Sequence, residues 1–265
     1  MEDALKNSVP TGLFDLYDEA VERISQKSPD LKRLMLVILS WIFHAKRHLK
    51  MFELQAALSI RDGDTDKTPS TYMPPFEIVE ICASLVQHDT ISGSVRFSHD
   101  VVRQFLKDRY SAQLLSEMDV GKTCLTYLSF QALEEGECLD EESFNLRIET
   151  YPFAQYAAFA WGEHVQDLSI YNSDATRLLV RLSQSPAQAV AMAQLRYNSV
   201  EEWNPVAERH RGKKLIHIIA ENNLLELGKS CLTSDSPPVN PRFSHLTVGY
   251  WGCPADRSEH CSNHR

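Results

Sequence analysis

The chain has 265 residues, 43% hydrophobic and 24% charged, the proportions of a globular protein with one or two domains. Twenty-seven Lys and Arg against 36 Asp and Glu give a formal net charge of −9 at pH 7, a poor global footprint for binding nucleic acid. No apolar run reaches the ~18 residues of a membrane span, because Leu34–Phe43 is broken by Ser40, and the acidic Met1-Glu2-Asp3 lacks a secretory h-region.

Read along the chain, the dominant signal is helical. Thr11 as an N-cap, followed by Leu13, Leu16, Tyr17, Ala20, Val21 and Ile24, predicts an amphipathic helix ending near Gln26. Ser28-Pro29-Asp30 restarts the chain, with Pro at a first-turn position where its missing N–H is harmless. Leu31–Ala45 is apolar nearly all round and belongs at the centre of a domain, closed by the basic Lys46-Arg47-His48. Met51–Ile60 is a shorter helix, residues 61–75 an exposed loop, and Phe76–Leu85 another helix. The period then shifts to two: Leu85-Val86 and Val95-Arg96-Phe97 flank Ile91-Ser92-Gly93-Ser94, a small hairpin, before His99–Arg109 returns to helix. Three helices and a hairpin form a winged-helix pattern over about residues 29–98.

Beyond Ser111 the chain is helical again. Thr123–Leu133 is one helix, and Glu134–Glu142, with six acidic groups and no basic one, is a solvated loop. Tyr151–Val165 is aromatic-rich, and Ala175–Leu182 with Pro186–Leu195 forms a further pair. Residues 197–211 are a polar connector, Leu215–Leu232 forms two short helices about Asn222-Asn223, and periodicity ends after Thr233. Of the six cysteines (Cys82, Cys124, Cys138, Cys231, Cys253, Cys261), three sit in apolar helical patterns, as expected of reduced thiols in a cytoplasmic protein.

The motifs that could carry chemistry are weak. Val120-Gly121-Lys122-Thr123 holds the end of a phosphate-binding loop, but Ser116 stands where its first Gly is needed and no strand precedes it, so a helix start is the better reading. His44 and His48 have zinc-pair spacing on a helix, yet Ala45, Lys46 and Arg47 fill the gap and no Glu follows the first His. His99 at a helix start has no local Ser or Cys nucleophile and reads as a capping or core residue. Cys253, His260, Cys261 and His264 match no zinc spacing. Residues 29–110 carry eleven basic and ten acidic groups, and the would-be recognition helix has Glu77 and Glu80 with no Lys or Arg. DNA affinity comes largely from phosphate neutralisation, so this helix favours packing and docking over DNA. No catalytic, cofactor-binding or metal-ligating residue is expected.

Thr11–Tyr17, Leu39–Leu49, Phe52–Leu58, Ile81–Val86, Val95–His99, Cys124–Phe130 and Tyr151–Trp161 with His164 together resemble the region after the nucleotide-binding domain in fungal NACHT–ankyrin receptors, which are signal-transducing NTPases. The first half is similar to the inositol-deacylase-type winged helix, a name that implies no deacylase activity. Gly212, Ile216, His217, Ala220, Glu221, Asn222, Leu225, Glu226, Leu227, Lys229 and Leu232 resemble one ankyrin repeat, with Lys213-Lys214-Leu215 and Asn223 in place of its usual Thr-Pro and Gly. A single repeat cannot bury its own face.

The resemblance implies a mainly α chain. Residues 1–28 would close an NTPase module, 29–110 form the winged helix, 111–196 a helical spacer, 212–232 one degenerate repeat and 233–265 an irregular, disordered tail. The nucleotide switch would then lie before residue 1 and the repeat array after residue 232. Pro241–Arg265 reads as the product of a shifted frame or retained intron. The expected role is a non-catalytic regulatory and protein-interaction segment in the cytoplasm. Its winged helix would pack against an NTPase module; its partners would be proteins, with no cofactor, nucleic acid or membrane. The alternative is a DNA-binding winged-helix regulator.

Overall fold

The structure, a computed structural model, describes residues 11–67, 72–166, 173–198, 215–221 and 224. Helix α1 (Thr11–Lys27) leads into α2 (Pro29–His44), whose N-cap Ser28 accepts from the Asp30 N–H at 3.2 Å. In α2, Met35, Ile38, Leu39, Trp41 and Ile42 are buried, which is why the helix is apolar nearly all round. It ends at His44, so His48 falls outside it and the expected i, i+4 histidine pair does not form on a helix. The chain turns here because Lys46 and Arg47 are drawn to the carboxylates of Glu117 and Glu53.

Strand β1 (Leu49–Lys50), α3 (Met51–Ser59), α4 (Pro75–Ile81), β2 (Val86–His88), β3 (Ser94–Phe97) and α5 (Asp100–Arg109) complete the winged helix. The sheet is antiparallel, ordered β1-β3-β2, with Leu49 opposite Val95 and Gln87 opposite Arg96. The two-residue β1 carries too little pattern to be seen in the sequence. Helix α4 stops four residues before the expected Leu85. Ala83 (φ 49°) and Ser84 (φ 68°) take left-handed conformations, and Ser98 Oγ–H holds the Ser84 carbonyl at 2.6 Å, turning Leu85 and Val86 into the sheet. Phe105 of α5 packs on Phe14 and Tyr17 of α1, and Arg109 pairs with Asp18 at 3.2 Å.

Helix α6 (Glu117–Leu128) begins six residues before the expected Thr123, because Ser116 and Asp119 form a reciprocal capping box. A 3₁₀ turn (Gln131–Glu135) and α7 (Glu141–Thr150) occupy much of what reads as a solvated acidic loop and the stretch after it. Asp140 caps α7 through the Ser143 N–H at 2.7 Å, and Glu141 and Glu142 suit the positive end of the helix dipole. Then come α8 (Ala154–His164), α9 (Ser173–Ser183), α10 (Pro186–Tyr197) and α11 (Leu215–Glu221). The architecture is a winged helix followed by helices.

Helices α6 and α8 pack most extensively, and Gly121 of α6 comes close against His164 and Val165 at the end of α8. The core runs without a break from the winged helix into these helices: Trp41 of α2 meets Phe153 edge-on, with centroids 5.4 Å apart, and Phe153 also meets Tyr127 of α6. The loop of residues 61–67 is tied to the same body, since its Thr65 carbonyl accepts from the Gln131 N–H at 3.0 Å and Asp66 from Tyr151 Oη at 3.0 Å. The second helix expected after Asn222-Asn223, the connector before Leu215 and the tail with Cys253, His260, Cys261 and His264 lie outside the described residues.

Candidate functional site

In a winged helix the exposed face of the third helix and the hairpin beside it form the contact surface. Here that helix is α4, anchored by the fully buried Ile78, with Phe76 67% exposed and Glu80 exposed on its outer side. The hairpin turn is built by Asp89, whose carboxylate accepts from the Ile91 N–H at 2.9 Å and from Ser92 Oγ–H at 2.8 Å. Those bonds hold the Asp89 carboxyl below the usual carboxylate range. Gly93 (φ 69°) closes the turn in a left-handed conformation that favours glycine, and Ile91 stands 98% exposed at the tip. Between α4 and the hairpin lies a groove of about 790 Å³, lined by Phe76, Val79 and Val86, with Glu80 as its one carboxylate and no Lys or Arg.

Four of the domain's eleven cations, Lys46, Arg47, Arg96 and Arg103, line another cleft, of about 1030 Å³, between the α2–β1 turn, β3 and the start of α5. Most of them are already engaged. Lys46 pairs with Glu117, and the Arg47 fork grips the buried Glu53 at 2.6 and 2.8 Å. Arg103 donates to the Phe43 carbonyl and lies over the Phe43 and Phe97 rings, 5.1 and 5.5 Å from their centroids. Arg96 is exposed and within electrostatic reach of Asp89. Glu53 also accepts from the Lys50 N–H at 2.8 Å, and its position three residues after Lys50, as in a capping box, is the sequence signal that marks it.

A partly buried polar seam joins the winged helix to the following helices. His44 Nε2 donates to the Leu115 carbonyl at 2.9 Å, and the Leu115 N–H donates to Ser40 Oγ at 2.9 Å. The Lys46 N–H donates to Tyr156 Oη at 3.2 Å, and Tyr156 Oη lies 3.1 Å from His164 Nε2. On the other side of the ring, His164 Nδ1 lies 3.5 Å from Glu117 Oε1. Burial and the neighbouring Lys46 push the His164 pKa down to about 4. Lys46 hydrogen bonding holds Glu117 below its ordinary value against the opposing effect of its partial burial. Nothing in the spacing of Lys46, Glu117, Tyr156 and His164 announces the seam, because three separate elements bring them together.

The sequence candidates disperse. Gly121-Lys122-Thr123 lies inside α6, with Gly121 against His164 and Val165 of the α8 end, Lys122 3.6 Å from Asp174 and Thr123 Oγ1 bonded to the Asp119 carbonyl. His44 is bonded to backbone, His48 is exposed, and His99 is an exposed N-cap whose side chain makes no capping bond; it is neither the capping nor the core residue expected. Cys82, Cys124 and Cys138 are buried free thiols, and burial raises the pKa of each. Among the described residues, no group of three or more His, Cys, Asp or Glu is placed to hold a metal ion, and no helix is long and apolar enough to cross a membrane.

Residues 21–120, from the middle of α1 into α6, match the family model of the GPI inositol-deacylase winged helix domain. That stretch is a winged-helix domain of the GPI inositol-deacylase type, a non-catalytic kind of domain. The chain is also similar to a subunit of the mitochondrial glutamyl-tRNA(Gln) amidotransferase of Yarrowia lipolytica, at 28% identity over 130 residues, or 46% of this chain and 24% of that protein. It therefore spans about a quarter of the length of that relative. No solved structure matches the chain.

Proposed function

We propose that this chain is a non-catalytic regulatory and protein-interaction segment of the NACHT–ankyrin signalling type, and that its winged helix docks on an NTPase module. The observation that carries this reading is the α4–hairpin face. It offers exposed Phe76 and Ile91 beside Glu77 and Glu80, a surface suited to another protein. The winged-helix match over residues 21–120 supports it, as does the resemblance of the following helices to the spacer of such proteins. A segment fused through one core to the winged helix moves with it, so differential contacts with two nucleotide states would pass along the chain.

The DNA-binding alternative has to contend with phosphate repulsion. A recognition helix with two carboxylates opposes the counterion-release term that supplies most non-specific affinity, and Lys46, Arg47 and Arg103 are already bonded within the chain. Fluorescence anisotropy with a labelled random-sequence duplex at low salt tests this. The wild-type chain should not bind, whereas Glu77→Lys with Glu80→Lys should introduce weak, salt-sensitive binding. Wild-type binding whose affinity falls steeply with salt would overturn the docking reading in favour of DNA.

A further inference from the structure

We propose that the groove between α4 and β2 receives an extended segment of a partner protein, added as a fourth strand along β2. A bulky apolar side chain of that segment would rest on Phe76 and Val79, and a flanking Lys or Arg would reach Glu80. This deepens the docking reading above and rests on it.

The sheet order β1-β3-β2 leaves β2 at an edge, and the groove opens along that edge, lined by Val86, Gln87 and His88. The register fixes which backbone groups face outwards. The Ser98 N–H donates to the Leu85 carbonyl and the Asp89 N–H to the Ser94 carbonyl, both at 2.9 Å. Residues 85, 87 and 89 are thus the ones bonded to β3. By the two-residue alternation of an antiparallel ladder, the N–H and C=O of Val86 and His88 point away from it. β2 carries neither Lys nor Pro, residues that commonly block strand addition at an edge.

Three further features select the occupant. An alternating row of backbone donors and acceptors is matched by another extended backbone, so strand addition is the recognition mode that satisfies it. The groove is largely apolar, with Phe76, Val79 and Pro75 on the helix side, which calls for one large apolar side chain. Glu80 lines it and no Lys or Arg does, so charge complementarity favours a basic residue beside that side chain. The two left-handed residues Ala83 and Ser84, a conformation disfavoured outside glycine, place helix and strand side by side here.

The test uses the full chain and a fluorescein-labelled nonapeptide of alternating Lys and Val around a central Phe, followed by anisotropy. Saturable binding is expected. It should weaken at least tenfold with Phe76→Asp and with Glu80→Lys, two exposed positions where circular dichroism should stay unchanged. It should be lost when the peptide amides that face β2 are N-methylated, and hydrogen exchange at the Val86 and His88 amides should slow at least tenfold in the complex. Failure to saturate, equal binding of both N-methylated sets, or equal binding of a Glu/Val counterpart would overturn strand addition. If the peptide fails while an NTPase module still binds in a Phe76-dependent way, only this inference falls. Competition by random duplex DNA would overturn both.

Discussion

Replacing Gly121 by Val should remove about 3 kcal/mol or more of stability, seen as a large fall in the urea midpoint followed by circular dichroism. A Cβ at this position would sit 2.7 Å from Val165 Cγ1 and 3.1 Å from His164 Cβ, and both residues are buried where α8 ends. A β-branched Val165 at full burial has no free rotamer into which to retreat. Even Gly121→Ala should be destabilising, by about 1–3 kcal/mol from overpacking, offset by the ~1 kcal/mol that Ala gains over Gly in a helix interior. Lys122→Ala, by contrast, removes one ion pair with the half-exposed Asp174 and should cost less than about 1 kcal/mol. A phosphate-binding loop would show the reverse order: Lys122 would be the costly position, and the cost would fall on nucleotide binding rather than on unfolding.

Acid should loosen the join between the winged helix and the helices behind it. His164 faces Tyr156 on its own helix, Glu117 on α6 and Lys46 and His44 from the α2 end. Its folded pKa of about 4 lies below the ordinary 6.5, so the unfolded chain takes up the proton first as pH falls. The stabilisation is fully present above pH 6.5 and drains away as pH falls towards 4, by up to about 1.4 kcal/mol per pH unit. The depressed Glu117 acts in the same direction at lower pH, since its carboxylate form is the one held by Lys46. Urea midpoints measured at several pH values between 7 and 4 should therefore fall steeply in the wild type. In His164→Gln, which can still pair with Tyr156 Oη but does not titrate, the fall above pH 4.5 should be much shallower. A wild-type profile that stays flat to pH 4.5 would show that His164 is not held neutral by this environment.

What the sequence disclosed follows the range of the interactions involved. Helix α2 was plain from Ser28-Pro29 and its all-round apolar pattern, and α9 and α10 from their spacing, because caps and periodicity are local. The two-residue β1 and the early stop of α4 were not, since both depend on pairing with residues far along the chain: Leu49 with Val95, and Ser84 with Ser98. Helix α7 was hidden because its buried face is only Phe144 and Arg147, the latter bonded to the Gly136 carbonyl at 2.5 Å, while its acidic first turn imitates a loop. The docking face was half legible. Glu77 and Glu80 spoke against DNA from composition alone, but the open edge of β2 became visible only once the strand order was known.

Docking on an NTPase module is tested most directly by calorimetric titration of the full chain against a NACHT-type nucleotide-binding module held in its ADP form and in its ATP form. Regulation requires a difference between the two states, and a tenfold difference in affinity corresponds to about 1.4 kcal/mol. The expected result is binding to one form at least tenfold tighter than to the other, and a comparable loss in Phe76→Asp. No binding to either form, or equal binding that Phe76→Asp leaves unchanged, would contradict it.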